Sequence, residues 1–306
     1  MNLKYAVVGT GAIGGYYGGR LALSGKDVHF LFNTEYDYVA KNGLKVDSVA
    51  GDFCINPIKA YKSTDDMPKC DVVLVALKST RNSILPDILP SILHHNTVIV
   101  LIQNGLGLEA QLASAFPKQP IAGASAFICS SRIGTGHIRH ADYGALSVGF
   151  HQNAVPDILE QVKDDFLQAK VPFTIIQDLN EMRWRKLVWN IPYNGLTVVM
   201  NSSTDKLMMQ KDTRQLVTDL MQEVVDGASA CGAYIEPEFI SKMLKMTDDM
   251  TPYSPSMKLD FDNRRQMEIE AIYSNPIATA KRNGYYMRKT EMLEQQLRFI
   301  QSAMNG

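Results

Sequence analysis

The chain has 306 residues, enough for two domains or one large one, and its 45% hydrophobic and 21% charged content is ordinary for a soluble globular protein. A net charge of -1 offers no strong field to nucleic acid or to an anionic membrane. Cys54, Cys70, Cys129 and Cys231 are spaced too widely for a zinc motif or a dense disulfide framework, and the six histidines form no ligand pattern, so no metal site is expected and the thiols read as reduced and cytoplasmic.

The N-terminus, MNLKYAVVGTG, has no long apolar segment ahead of a cleavage site. Tyr5–Val8 reads as a first strand, and YAVVGTGAIGG then sets Gly9, Gly11 and Gly14 in G-x-G-x-x-G spacing around Thr10, Ala12 and Ile13. This motif closes a strand and opens a helix over Gly14–Ser24, the context a dinucleotide requires. Gly9 allows the tight turn, Gly11 lets a pyrophosphate approach the backbone, and Gly14 brings helix and strand together. The helix N-terminus then faces the phosphates.

A second strand, Val28–Phe32, ends at Asn33, where an NAD site often carries an acid for the ribose hydroxyls. Asn33 and Thr34 would not repel a 2′-phosphate, but no Arg stands there to attract one. Val72–Leu77 is a third strand. Lys78, just after it, either supplies the positive charge or is a solvated lysine at the start of the next helix, Arg81–Leu93. Thr97–Ile102 is a fourth strand, followed by QNGLG. Asn104 there either binds a ligand outside the strand ends or makes a plain Asn-Gly turn. Short apolar strands alternating with helices predict a doubly wound α/β domain.

Strand signals fade after about residue 178, and the domains are placed at 1–178 and 179–306, the second all helical. MRWRKLVWNIPYNG, Met182–Gly195, carries Lys186, Asn190 and Asn194 at steps of four. Each such step drifts only about 40°, so the three share an arc of about 80°. Trp184, Leu187, Val188, Trp189 and Ile191 nearly surround this stripe, and buried polar groups need partners, which a bound ligand can provide. Alternatively Lys186 snorkels to water and the asparagines cap or face solvent. Pro192 removes a donor for the Val188 carbonyl and is expected to kink the helix. Further helices are expected over Leu216–Ala228 with a stop at Gly232, and over Pro237–Met246, Asn263–Tyr273, Pro276–Arg282 and Glu291–Met304, the last capped by Thr290. Ser256 and Glu268 are either site residues or, respectively, a helix cap and part of a solvated face.

Taken together, GTGAIGG near the N-terminus, ALKS at 76–79, QNGLG at 103–107, RWRKLVWNIPYNGLT at 183–197, and Ser256-Met257 with Glu268 resemble the ketopantoate reductase (2-dehydropantoate 2-reductase) family over nearly the whole chain. The resemblance implies a Rossmann-like domain with a mostly parallel sheet, joined to an all-α domain of the 6-phosphogluconate dehydrogenase-like type. It implies NADPH-dependent reduction of 2-dehydropantoate to pantoate, toward pantothenate and coenzyme A. Lys186 is then the proton donor. Asn190, Asn194 and Ser256 bind substrate, Asn104 lies where cofactor and substrate meet, and Glu268 stands at the nicotinamide end. Asn33 departs from the family's usual Arg, which leaves NADH open beside NADPH, and Pro192 interrupts the asparagine helix. Another small 2-oxo acid or an opine-type dehydrogenation on the same scaffold remains an alternative, as does a non-catalytic dinucleotide sensor. Neither nucleic acid nor membrane is an expected partner, and the sequence leaves a homodimer open.

Overall fold

The computed structural model describes residues 2–250 and 254–305. The chain divides into two units, Met1–Gln103 with Leu108–Leu179, and Asn104–Gly107 with Asn180–Gly306. Four residues of the QNGLG loop thus belong with the helical unit although they lie deep in the sheet unit's sequence.

The sheet unit contains β1 (Lys4–Val8), β2 (Asp27–Leu31), β3 (Leu44–Ser48), β4 (Phe53–Ile55), β5 (Ala60–Tyr61), β6 (Val72–Val75), β7 (Val98–Leu101), β8 (Ile121–Gly134), β9 (His137–Gln152) and β10 (Phe173–Ile175). Its helices are α1 (Ala12–Leu23), α2 (Tyr36–Asn42), α3 (Leu85–Ile88), α4 (Leu108–Ala115) and α5 (Pro156–Gln168). The strand order is β4-β3-β9-β8-β7-β6-β1-β2-β5, with β10 pairing β9. From β5 to β8 every pairing is parallel, while β8–β9 and β3–β4 are antiparallel. The four strands read from sequence are the parallel centre of this sheet. They are short and apolar because both faces are covered, and Val7, Phe30, Val72 and Val98 are all fully or nearly fully buried. One polar tie crosses this core: Tyr5 donates from its hydroxyl to Asp165 Oδ2 at 2.6 Å, and Asp165 also pairs with Lys26 at 2.6 Å.

The β8–β9 hairpin is absent from the sequence reading. Only the first four residues of β8 are buried, so its later half carries no clean apolar alternation. The helix expected over Arg81–Leu93 is broken into a 3-10 turn Ser79–Ile84, the single turn α3 and a 3-10 turn Pro90–Ile92. Pro86 and Pro90 remove the donors a continuous helix needs.

The helical unit holds α6 (Leu179–Val199), α7 (Thr204–Met209), α8 (Lys211–Ala230), α9 (Phe239–Asp249), α10 (Ser256–Asp262), α11 (Asn275–Arg282) and α12 (Arg288–Asn305). Helix α6 is its spine. Trp184, Leu187, Val188 and Ile191 are fully buried and share a core with Val217, Leu220, Met221 and Val224 of α8. Each such side chain contributes about 1.5–3 kcal/mol on burial. Pro192 does not end α6, and the Ile191 carbonyl beside it accepts from the Tyr273 hydroxyl at 2.8 Å. Gly232, at φ +76°, follows the end of α8 as expected.

Two helix expectations need correction here. Asn263–Tyr273 is not one helix: the chain leaves α10 at Asp262, passes Arg264 at φ +52°, runs without regular structure to Glu268, and re-enters as a π-helical turn Glu270–Ser274 leading into α11. The second is Thr290, which is no N-cap but lies inside α12. Its N–H and hydroxyl both donate to Glu223 Oε2 at 2.7 Å, and Lys289 N donates to Glu223 Oε1 at 2.9 Å. An acid from α8 therefore satisfies two of the orphan donors of α12.

Candidate active site

In the sheet unit the glycine turn has the geometry its spacing suggests. Gly9 sits at φ +99°, and a Cβ there would lie 2.5 Å from Leu77 N. A Cβ on Gly14 would lie 2.3 Å from the Gly9 carbonyl oxygen, so helix and strand meet at glycine distance. A Cβ on Gly11 would meet nothing within 4 Å. Gly11 caps α1, the first turn of α1 contains no acid, and the N–H groups opening a helix lack intrahelical acceptors. Crowded backbone at Gly9 and Gly14, open space at Gly11 and uncancelled donors together fit a pyrophosphate. Thr10 Oγ1 donates to the Leu31 carbonyl at 2.9 Å and ties this turn to the end of β2.

Asn33 is exposed in the loop after β2, where its carbonyl accepts from Tyr36 N at 3.2 Å. Lys78 is exposed and stands at the start of the 3-10 turn after β6. Gln103, to which the sequence reading gave no part, is buried at 5% exposure. It exchanges amide hydrogen bonds with Asn82 at 3.1 and 2.7 Å and donates to the Leu77 carbonyl at 2.7 Å. It thereby locks the β6 and β7 loops together, beside the residues that carry Lys78 and Asn104. The one sequence signal was a long amide immediately after an apolar strand.

In the helical unit, the loop carrying Asn104 docks on the π-helical turn. Leu106 N donates to the Ala271 carbonyl at 2.9 Å, and Asn275 Nδ2 donates to the Leu106 carbonyl at 2.8 Å. Gly105 has φ +107°, and a Cβ there would sit 2.5 Å from Ala271 O. The Asn-Gly pair is therefore a turn with a packing purpose, pinned to the segment that follows Glu268. Glu268 itself is buried at 4% exposure, which rules out a solvated face.

Along α6, Lys186 is half-buried, while Asn190 and Asn194 are 4% and 2% exposed. Arg183, at 3%, falls inside the same arc on helical spacing, a member that the steps of four overlooked. Asn194 Oδ1 accepts from Met257 N at 3.0 Å, which ties the start of α10, and Ser256 with it, to the stripe. Asn190 Nδ2 is buried with no hydrogen-bond acceptor among the described residues. Leaving such a donor unpaired costs about 1–3 kcal/mol. Trp184 Nε1 is likewise unpaired, but it lies about 100° from Arg183, off the polar stripe. Among the described residues no cluster of His, Cys, Asp and Glu could hold a metal, and no helix is long and apolar enough to cross a membrane.

Residues 5–153 match the family described as ketopantoate reductase PanE/ApbA, and residues 178–301 match its C-terminal counterpart. A 2-dehydropantoate 2-reductase of Nostoc sp. is 44% identical over 97% of this chain and 95% of its own length. The crystal structure of 2-dehydropantoate 2-reductase from Geobacter metallireducens is 38% identical, covers 97% of this chain and 99% of that one, and superposes with a TM-score of 0.93. A ternary structure of D-mandelate dehydrogenase with NADH and anilino(oxo)acetate shares the fold at TM-score 0.90 and 18% identity, covering 99% of this chain and 100% of that one.

Proposed function

The chain belongs to the ketopantoate reductase family, and on that premise we propose that it reduces 2-dehydropantoate to pantoate with NADPH, a step toward pantothenate and coenzyme A. The 44% identity to a 2-dehydropantoate 2-reductase across nearly both chains supports the substrate. The observation that carries the site is the buried, unpaired Nδ2 of Asn190, in line with the ammonium of Lys186. A 2-oxo acid offers the acceptor that this donor lacks.

The glycine turn from Gly9 to Gly14 holds the pyrophosphate. Asn33 leaves the ribose 2′ position without a repelling acid, and Lys78 contributes positive charge. When bound, the reduced nicotinamide supplies hydride to the C2 ketone carbon. Lys186 points its ammonium at the ketone oxygen, offsets the negative charge that grows there and donates the proton. General acid assistance of this kind is worth about 10²–10⁴-fold in rate. Asn190 and Ser256 orient the substrate. Asn194 acts mainly through Ser256, because its oxygen is already committed to Met257 N. Asn104 and Glu268 stand at the nicotinamide end. A cytoplasmic setting suits a biosynthetic reductase of this kind.

The deciding experiment is a spectrophotometric assay of the purified protein with NADPH and 2-dehydropantoate, run beside a panel of small 2-oxo acids. Oxidation with 2-dehydropantoate as the best substrate is expected. Preference for another 2-oxo acid would reassign the substrate and keep the chemistry. Cofactor binding without turnover of any member would make the protein a sensor.

A further inference from the structure

We propose that Arg132, on a strand about a hundred residues after the β2 loop, is the residue that selects a 2′-phosphorylated adenosine ribose, with Glu35 as its built-in counter-ion. The proposal rests on the dinucleotide reading of the glycine turn and names the group that decides which dinucleotide binds.

The loop after β2 is neutral where charge matters: Asn33 and Thr34 are exposed, and the first ionised side chain is Glu35. An unaccompanied Glu35 would favour ribose hydroxyls and repel a phosphate of about −1.5 to −2 charge. It is accompanied, however, because Arg132 Nη1 lies 3.0 Å from Glu35 Oε1. The pairing is held by more than two side chains. Ser130 Oγ donates to the Ala12 carbonyl at 3.2 Å, so β8 runs beside the start of α1. The β8–β9 register is unbroken from Ser130 to Arg132, which puts both side chains on one face of the strand. The tip of the hairpin rests on α2, where a Cβ on Gly136 would come within 2.9 Å of Val39 Cγ2. Strand β8 thus touches both elements that flank the adenosine half of a dinucleotide, the opening of α1 and the beginning of α2.

The charge geometry points the same way. The Glu35 side chain is 13% exposed and that of Arg132 46% exposed, so the acid is the shielded partner and the guanidinium the accessible one. A guanidinium has five donors, and its planar fork matches phosphate oxygens. A second cation lies near the start of α2: Lys62, just beyond β5, holds its Nζ 5.9 Å from the Tyr36 ring centroid. A 2′-phosphate here would meet Arg132 first, with Lys62 adding long-range attraction. Glu35 would hold the guanidinium in place, and a 2′-hydroxyl would gain little from the arginine.

The test is calorimetric titration of the full-length protein with adenosine 2′,5′-bisphosphate and with 5′-ADP, which carry the two ribose chemistries and need no turnover. The wild type is expected to bind the bisphosphate more tightly. Arg132→Gln should weaken the bisphosphate by about 10–100-fold, as expected for loss of a charge-assisted pair, and change 5′-ADP by less than about threefold. Glu35→Gln should strengthen the bisphosphate. If Arg132→Gln folds poorly, Arg132→Lys retains the charge without the fork and should give an intermediate loss. An unchanged ratio of the two affinities in the Arg132 variants would overturn the proposal while leaving the dinucleotide reading intact. Failure of the wild type to bind either nucleotide would overturn both.

Discussion

The glycine turn of the sheet unit and the polar face of α6 solve opposite problems. At the turn, the proposed function depends on what is missing: no Cβ is tolerated beside Leu77 N or the Gly9 carbonyl, and a Cβ on Gly11 would meet only open space. On α6, the proposed function depends on what is present: the half-buried Lys186 and the buried Asn190 and Asn194, set beside a fully buried aliphatic and aromatic core. The first site is backbone, so its tolerance is set by steric distance. The second is side chain, so its chemistry is set by burial and by which hydrogen bonds the neighbours already use.

Four substitutions and one change of pH would break or sharpen this contrast. The largest effect is expected from Lys186→Ala, which should lower kcat by about 10²–10⁴-fold, roughly 3–5 kcal/mol, with nucleotide affinity nearly unchanged. A normal kcat in steady-state kinetics would remove the lysine from the chemistry. Next, Gly14→Ala should cost about 1–3 kcal/mol of stability by overpacking. Gly11→Ala should stay within about 0.5 kcal/mol yet lose dinucleotide affinity. Denaturant melts and nucleotide titrations of both variants read this directly, and equal destabilisation would contradict a turn built around an opening at Gly11. Asn194→Ala should cost about 0.5–2 kcal/mol through the lost cap of α10. It should also raise KM, because Ser256 loosens with the helix. A melting temperature unaltered by this change would show the Asn194–Met257 bond to be dispensable.

The smallest effect separates the units by pH. All six histidines lie in the sheet unit. Burial lowers the pKa of His140, whose Nδ1 meets Ser48 Oγ at 2.8 Å and whose Nε2 meets the Tyr143 carbonyl at 3.0 Å. Burial also lowers that of His29. The folded form disfavours their protonation, so as pH falls below about 6.5 the unfolded chain takes up protons first and the sheet unit loses stability. In the helical unit Arg185 holds the Glu236 carboxyl down to about 2. That contribution is present above the unfolded carboxylate value of about 4.3 and fades only as pH drops from there toward 2. The pair is partly exposed, so its worth is small. Hydrogen exchange resolved by segment at pH 5.5 and 7.5 should show loosening around β2 and β9 and none around α6. Loosening of α6 over that range would reverse the assignment.

Much of the architecture was legible because it is written in local chemistry. The G-x-G-x-x-G turn needs only the strand before it and the helix after it. The Lys186-Asn190-Asn194 stripe needs only helical spacing, and Gly232 stops α8 through its own φ. What escaped reading was less local. The late half of β8 is too exposed to alternate, and its partner is recognised only once β9 pairs with it. The stretch from Asn263 to Glu268 has helical composition but leaves the helix, and the next regular turn is π-helical.

The sequence by itself determined the two kinds of unit, the glycine turn after β1 and the line of polar groups on α6, because backbone sterics and helical periodicity act over a few residues. Only the tertiary structure decided that Glu223 caps α12, that Asn194 spends its oxygen on α10, that Gln103 locks two loops, and that Arg132 faces Glu35. Those pairings join residues from about 20 to about 100 positions apart. No local preference encodes them, because a hydrogen bond or ion pair is chosen by where the folded chain brings donor and acceptor together.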